Sequence, residues 1–153
     1  MLNIAIKRII IIGLSLLMVA CAASGQLSPT QKDSDAKKFY HVVGKARIYV
    51  IRRGGFGGSG ALTHIMINGR LASTVGPNNY FMFDVVTGNY IFNVLGLAFQ
   101  GGQPHQFEVS AEKNYFIEVK HLEGTFKLLS TEEGEQAVND AKRVEINIDP
   151  NHI

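Results

Sequence analysis

Past residue 43, apolar and polar residues alternate with a period of two along most of the chain. In Val144-Glu145-Ile146-Asn147-Ile148-Asp149 the alternation is complete, which predicts a strand with Val144, Ile146 and Ile148 on one buried face. The same rhythm places Ala46, Ile48 and Val50 opposite Arg47, Tyr49 and Ile51, and Phe81, Phe83 and Val85 opposite Met82 and Asp84. It sets Tyr90, Phe92 and Val94 against Ile91 and Asn93, and Tyr115, Ile117 and Val119 against Phe116, Glu118 and Lys120. These stretches are rich in β-branched and aromatic residues, which suit a pleated, half-buried surface.

Turn signals separate the stretches. Asn68-Gly69 lies between THIMI and RLAST, where a two-residue hairpin needs positive φ at both central positions. Gly76-Pro77-Asn78-Asn79 and Thr87-Gly88-Asn89 punctuate next, and Glu123-Gly124 marks a further hairpin. One segment reads as helix: residues 131–141 open with Thr131, carry Glu132 and Glu133 in the first turn and continue with helix formers, with Ser130 or Thr131 as N-cap. Its apolar face is thin (Ala137, Val138, Ala141), so it should cover an edge or end of a sheet.

Short strands at regular spacing predict a mostly β protein, an antiparallel β-sandwich with one short helix near the C-terminus, in preference to a closed barrel. The expected core is Ile48, Val50, Ile65, Ile67, Phe81, Phe83, Phe92, Val94, Phe107, Val109, Ile117 and Val119.

The β pattern decides how to read RRGGFGGSGAL at 52–62, where Gly55, Gly57 and Gly60 satisfy G-x-G-x-x-G. A dinucleotide fingerprint needs those glycines to open a helix whose N–H groups hold the pyrophosphate. Here Ala61, Thr63, Ile65 and Ile67 alternate into the Asn-Gly turn, so a strand follows and no nucleotide is expected. A second glycine-rich stretch, residues 96–104, carries Leu97 and Phe99. Two unrelated hairpin tips are the plain reading; placed side by side, the stretches would form an apolar contact rim of Phe56, Leu97 and Phe99.

The N-terminus is built differently. Lys7 and Arg8 precede an almost unbroken apolar run over residues 9–20 that ends in Met18-Val19-Ala20-Cys21. The run has the length of a signal-peptide core and is too short to span a bilayer of about 30 Å. Cys21 is the only cysteine. This stretch resembles the lipobox of bacterial lipoproteins, with Met18 where that family usually has Leu. The resemblance implies a signal peptide over 1–20, cleavage between Ala20 and Cys21, and acylation of Cys21 (palmitate-type chains) that would hold the chain on a membrane. Ala22, in place of a retention Asp, implies the outer membrane facing the periplasm.

Residues 21–43 are mostly small and polar and read as the lipidated cysteine plus a flexible tether, about 20–25 Å end to end. That leaves 44–153 as one domain.

The chain has 15 basic and 13 acidic residues. Removal of 1–20 takes Lys7 and Arg8 with it, so the mature chain is near neutral and lacks the positive surplus of a nucleic-acid binder. The cluster Lys45, Arg47, Arg52 and Arg53 reads as a solvated strand end, or as a contact to anionic lipid or polysaccharide.

No local motif for chemistry emerges. The five histidines (41, 64, 105, 121, 152) have no metal-ligand spacing, so no metal is expected. Ser59 lacks the second glycine of G-x-S-x-G. Glu108, Glu118 and Glu145 fall at positions that should face solvent. No catalytic residue and no cofactor are predicted.

Four stretches carry a further likeness: ARIYVIR at 46–52, ING at 67–69, YFMFDVVTGNY at 80–90 and NYFIEV at 114–119. Over about residues 44–140 the chain resembles a family of small bacterial lipoproteins with a domain of unknown function, departing from it at Ile51, usually aromatic, and Thr87, usually proline. Its hairpins are also similar to PEGA-type β-sandwich modules. The family brings no catalytic residues. The expectation is a membrane-anchored, non-catalytic module that binds an envelope protein or glycan. A carrier of a small apolar ligand between the sheets is the alternative, and an envelope hydrolase stands third.

Overall fold

The computed structural model describes residues 25–55, 60–95, 102–149 and 153. Two sheets face each other. One has five strands in the order β8-β7-β1-β4-β9 and the other four in the order β3-β2-β5-β6. The strands are β1 (Ala46–Arg52), β2 (Thr63–Ile67), β3 (Arg70–Val75), β4 (Asn79–Val85), β5 (Gly88–Leu95), β6 (His105–Val109), β7 (Asn114–Lys120), β8 (Thr125–Leu128) and β9 (Lys142–Arg143). The sandwich is therefore as expected, except that β1 pairs with β7, and β4 with β9, in parallel.

The period-two residues fill the interior. Of the twelve expected core residues, eleven are buried, and Phe107 packs partly buried against them. Phe83, Phe92 and Phe126 pack ring to ring, with centroids of Phe92 and Phe126 5.7 Å apart. Gly69 and Asn68 both take positive φ in the β2–β3 hairpin (79° and 48°), the geometry that Asn-Gly supplies at low steric cost.

Both faces of the five-stranded sheet are covered. Helix α2 (Thr131–Asn139) is N-capped by Ser130, whose hydroxyl accepts from Glu133 N–H. It lays Ala137 and Val138 on an outer core of Tyr49, Ile51, Tyr80 and Phe116.

The reading of 21–43 as a flexible tether is corrected from Gly25 onward. Residues 30–36 form helix α1 (Thr30–Ala36), and this segment is part of the folded body. Gln26 O accepts from Glu145 N–H at 2.9 Å, Ser28 N–H donates to Arg143 O at 3.0 Å, and Leu27 bridges Val144. The Tyr49 hydroxyl donates to Ala36 O at 2.8 Å, and the Tyr80 hydroxyl to Asp33 at 2.7 Å. Phe39 sets its ring edge against Tyr49 and Phe116. A segment with few apolar residues docks here because its polar groups find partners, not because it buries much area.

Two smaller expectations also change. Val144 is buried, but Ile146 and Ile148 are only partly so and lie outside any strand; Asn147 N–H donates to Ala72 O at the edge of the second sheet. Glu118 does not face solvent: it is buried on the outer face of β7, with Lys120 Nζ at 3.0 Å and Arg53 Nε at 3.8 Å.

Candidate functional site

Strand directions gather four connections at one end of the sandwich. β1, β3, β5 and β7 all finish there, and β2, β4, β6 and β8 all begin there. The connections are residues 53–62, 76–78, 96–104 and 121–124. The two glycine-rich stretches leave neighbouring strands, since β2 pairs with β5 and His64 lies opposite Leu95. Gly102 packs directly on the Gly124 backbone, where either Cβ would collide with or crowd the other turn. The roots of the two glycine-rich stretches are therefore adjacent. Phe56, Leu97 and Phe99 themselves lie outside the described residues, as do Ala20, Cys21, Ser59 and His152.

Arg52 organises the base of this end. It is the last residue of β1 and is buried, and its Nη1 donates to Ala61 O and to Val75 O, the latter at 3.2 Å. One guanidinium so ties the return of the first glycine loop to the end of β3. Burial pushes its pKa down, though a guanidinium stays charged at any physiological pH. Gly54 N–H donates to Asn78 Oδ1 at 2.8 Å and fixes the other side of the loop, at a site too close for a Cβ.

Two recesses flank this ridge. One, of about 320 Å³, lies between Arg53, Asn78 and the Glu133, Gln136 and Asp140 side of α2. The other, of about 240 Å³, is lined by Arg53, Pro77, Glu118, Lys120, His121 and Leu122. Beside it the Thr63 hydroxyl and His121 Nδ1 are 2.6 Å apart, linking the second sheet to the β7–β8 turn. Burial, with the charge of Arg52, lowers the His121 pKa and so favours the neutral ring. The end of the sandwich thus presents guanidinium, ammonium, carboxylate and imidazole groups beside the half-exposed Leu95 and Leu122. Such a set suits hydrogen bonding to polar, uncharged or mixed-charge surfaces.

His64 Nδ1 meets the Thr74 hydroxyl at 2.8 Å, and His105 packs on Phe107 and Phe126. Among the described residues no three His, Cys, Asp or Glu side chains are grouped to hold a metal. No helix among them is long and apolar enough to cross a membrane. Between the sheets, the rings of Phe81, Phe83, Phe92 and Phe126 pack in succession against one another.

Lys45, Arg47, Arg52 and Arg53 do not act as one basic patch. Arg47 and Asp84 face each other across β1 and β4 and pair through two hydrogen bonds of 2.7 and 3.0 Å. The buried Glu118, the Thr63–His121 pair and the ordered N-terminal segment were missed in the sequence. For the first and last a signal existed: β1 and β7 carry Tyr49, Ile51 and Phe116 on the face that should have been polar. A strand apolar on both faces is buried on both.

No family model, curated protein or solved structure matches this chain.

Proposed function

We propose that the mature chain is a bacterial envelope lipoprotein, acylated on Cys21 after cleavage at Ala20, on the periplasmic side of the outer membrane. Its sandwich is a non-catalytic binding module, of the kind found in small lipoproteins with a domain of unknown function. The loop end contacts an envelope protein or a glycan. The observation that carries this reading is the adjacency of the two glycine-rich loops at the roots, through the His64–Leu95 register, next to recesses lined by buried and half-buried polar groups. Loops on a rigid sandwich are where such folds place recognition. Phe56, Leu97 and Phe99 are the proposed contact residues.

A crosslinking pull-down of the mature protein from envelopes tests it, run in parallel with a Phe56→Ala/Leu97→Ala/Phe99→Ala variant. A specific protein or glycan enriched by the first and lost from the second supports the reading. Equal recovery by both removes the rim from it.

A further inference from the structure

The ordered N-terminal segment changes where the body stands. Only residues 22–24 separate Cys21 from Gly25, which already packs on the Thr74 backbone. Four Cα–Cα steps reach about 15 Å at most. An anchor at Cys21 therefore holds this side of the sandwich at the headgroup layer, not a tether's length above it.

The surface at that point is specific. A recess of about 280 Å³ is lined by Leu27, Ser28, Thr30, Asp33, Lys142 and Arg143. Its two nearest carboxylates are occupied. Asp33 accepts from Tyr80, from Lys37 at 2.9 Å and from Arg143 N–H at 3.1 Å, and Glu145 is paired with Lys32 at 3.2 Å. Neither Lys142 nor Arg143 makes a side-chain ion pair within 4 Å among the described residues, although the Arg143 charge acts on the Glu145 carboxylate. Arg143 spends one Nη1 bond on Lys32 O, and its Nε, though buried, has no acceptor among the described residues. Leu27, at 50% exposure, is the apolar lip of the recess.

We propose that this recess binds the phosphate of an anionic lipid headgroup in the leaflet that carries the anchor. The proposal rests on the reading of Cys21 as acylated. The Arg143 guanidinium and the exposed Lys142 ammonium supply positive charge for the phosphate and Thr30 a hydroxyl, while Leu27 meets the acyl boundary. Two weak attachments, chains and headgroup, then orient the sandwich on the membrane.

The test uses residues 22–153, which keep every described residue but lack Cys21. Binding is measured to vesicles of phosphatidylcholine alone and of phosphatidylcholine with phosphatidylglycerol. The expected result is tighter binding to the anionic vesicles, weakened about fivefold by Lys142→Gln and further by Lys142→Gln/Arg143→Gln. Lys127→Gln, on β8 at the opposite edge of the sheet, leaves it unchanged. Because Lys142 is exposed, its single variant keeps the test valid if the double variant melts early. Equal binding to both vesicles, or equal loss from Lys127→Gln, overturns the proposal. Inorganic phosphate that shifts the Arg143 Nε–Hε resonance as fully as the vesicles do reassigns the recess to a soluble phosphate and also overturns it. Acylation of Cys21 is read separately, by mass, on the full chain, so failure of the anchor is distinguishable from failure of this site.

Discussion

The Tyr80 hydroxyl donates a 2.7 Å hydrogen bond to Asp33, joining the second strand of the central pair to a helix 47 residues earlier in the chain. Burial raises the Asp33 carboxyl, but the bonds from Tyr80 and Lys37, the Lys37 charge and the Arg143 N–H outweigh it and hold the carboxyl below the usual range. Burial and the same carboxylate push the Tyr80 hydroxyl up, so it stays a donor.

A depressed carboxyl pKa contributes stability that is present above the unfolded value of about 3.9 and is lost as pH falls through the folded value. Docking of α1 should therefore weaken in acid. Melting curves from neutral pH down to about pH 3 should show a steeper fall for the wild-type chain than for Asp33→Asn, which is less stable at neutral pH. Parallel curves for the two would remove Asp33 from the docking contact.

Gly134 lies in α2 directly over Phe116, and a Cβ there would collide with the Phe116 ring and its Cβ. In an exposed helix Gly→Ala gains about 1 kcal/mol. Here overpacking of about 1–3 kcal/mol opposes that gain. Gly134→Ala should lower stability in urea titrations, and Gly134→Ala/Phe116→Leu should recover part of the loss. A single variant more stable than wild type would contradict the packing of α2 on β7.

Arg52→Met removes the donor that serves Ala61 O and Val75 O while keeping most of the apolar stem. Leaving buried carbonyls without that donor costs about 1–3 kcal/mol. Hydrogen exchange should quicken first at residues 60–63 and 75–76, and less in β7. Uniform protection in the variant would show that Arg52 does not hold the loop base.

Much of this fold was legible because one physical rule, side chains alternating across a strand, runs through it. Ile48 and Val50, Phe81 and Phe83, and Ile117 and Val119 all point inward as their spacing requires, and Asn68-Gly69 could only be a tight turn. The helix at 131–139 was legible from its cap and first-turn acids. The N-terminal helix was not, because seven residues of TQKDSDA carry a single buried side chain, Ala36. Its stability comes from hydrogen bonds to Tyr49 and Tyr80, which no local pattern announces. The doubly apolar face of β1 was the available clue. For the site, sequence supplied the glycine loops, but their adjacency depends on the β2–β5 pairing, and Glu118 was misplaced because Arg53, Lys120 and the loop end enclose a position that alternation alone assigns to solvent.

The central claim is a sandwich held close to a membrane through Cys21. Mass spectrometry of the N-terminal peptide from protein extracted out of membranes tests it most directly. The account predicts Cys21 as the first residue, carrying acyl chains. An unmodified cysteine, a start at another residue, or an intact chain from Met1 would contradict it.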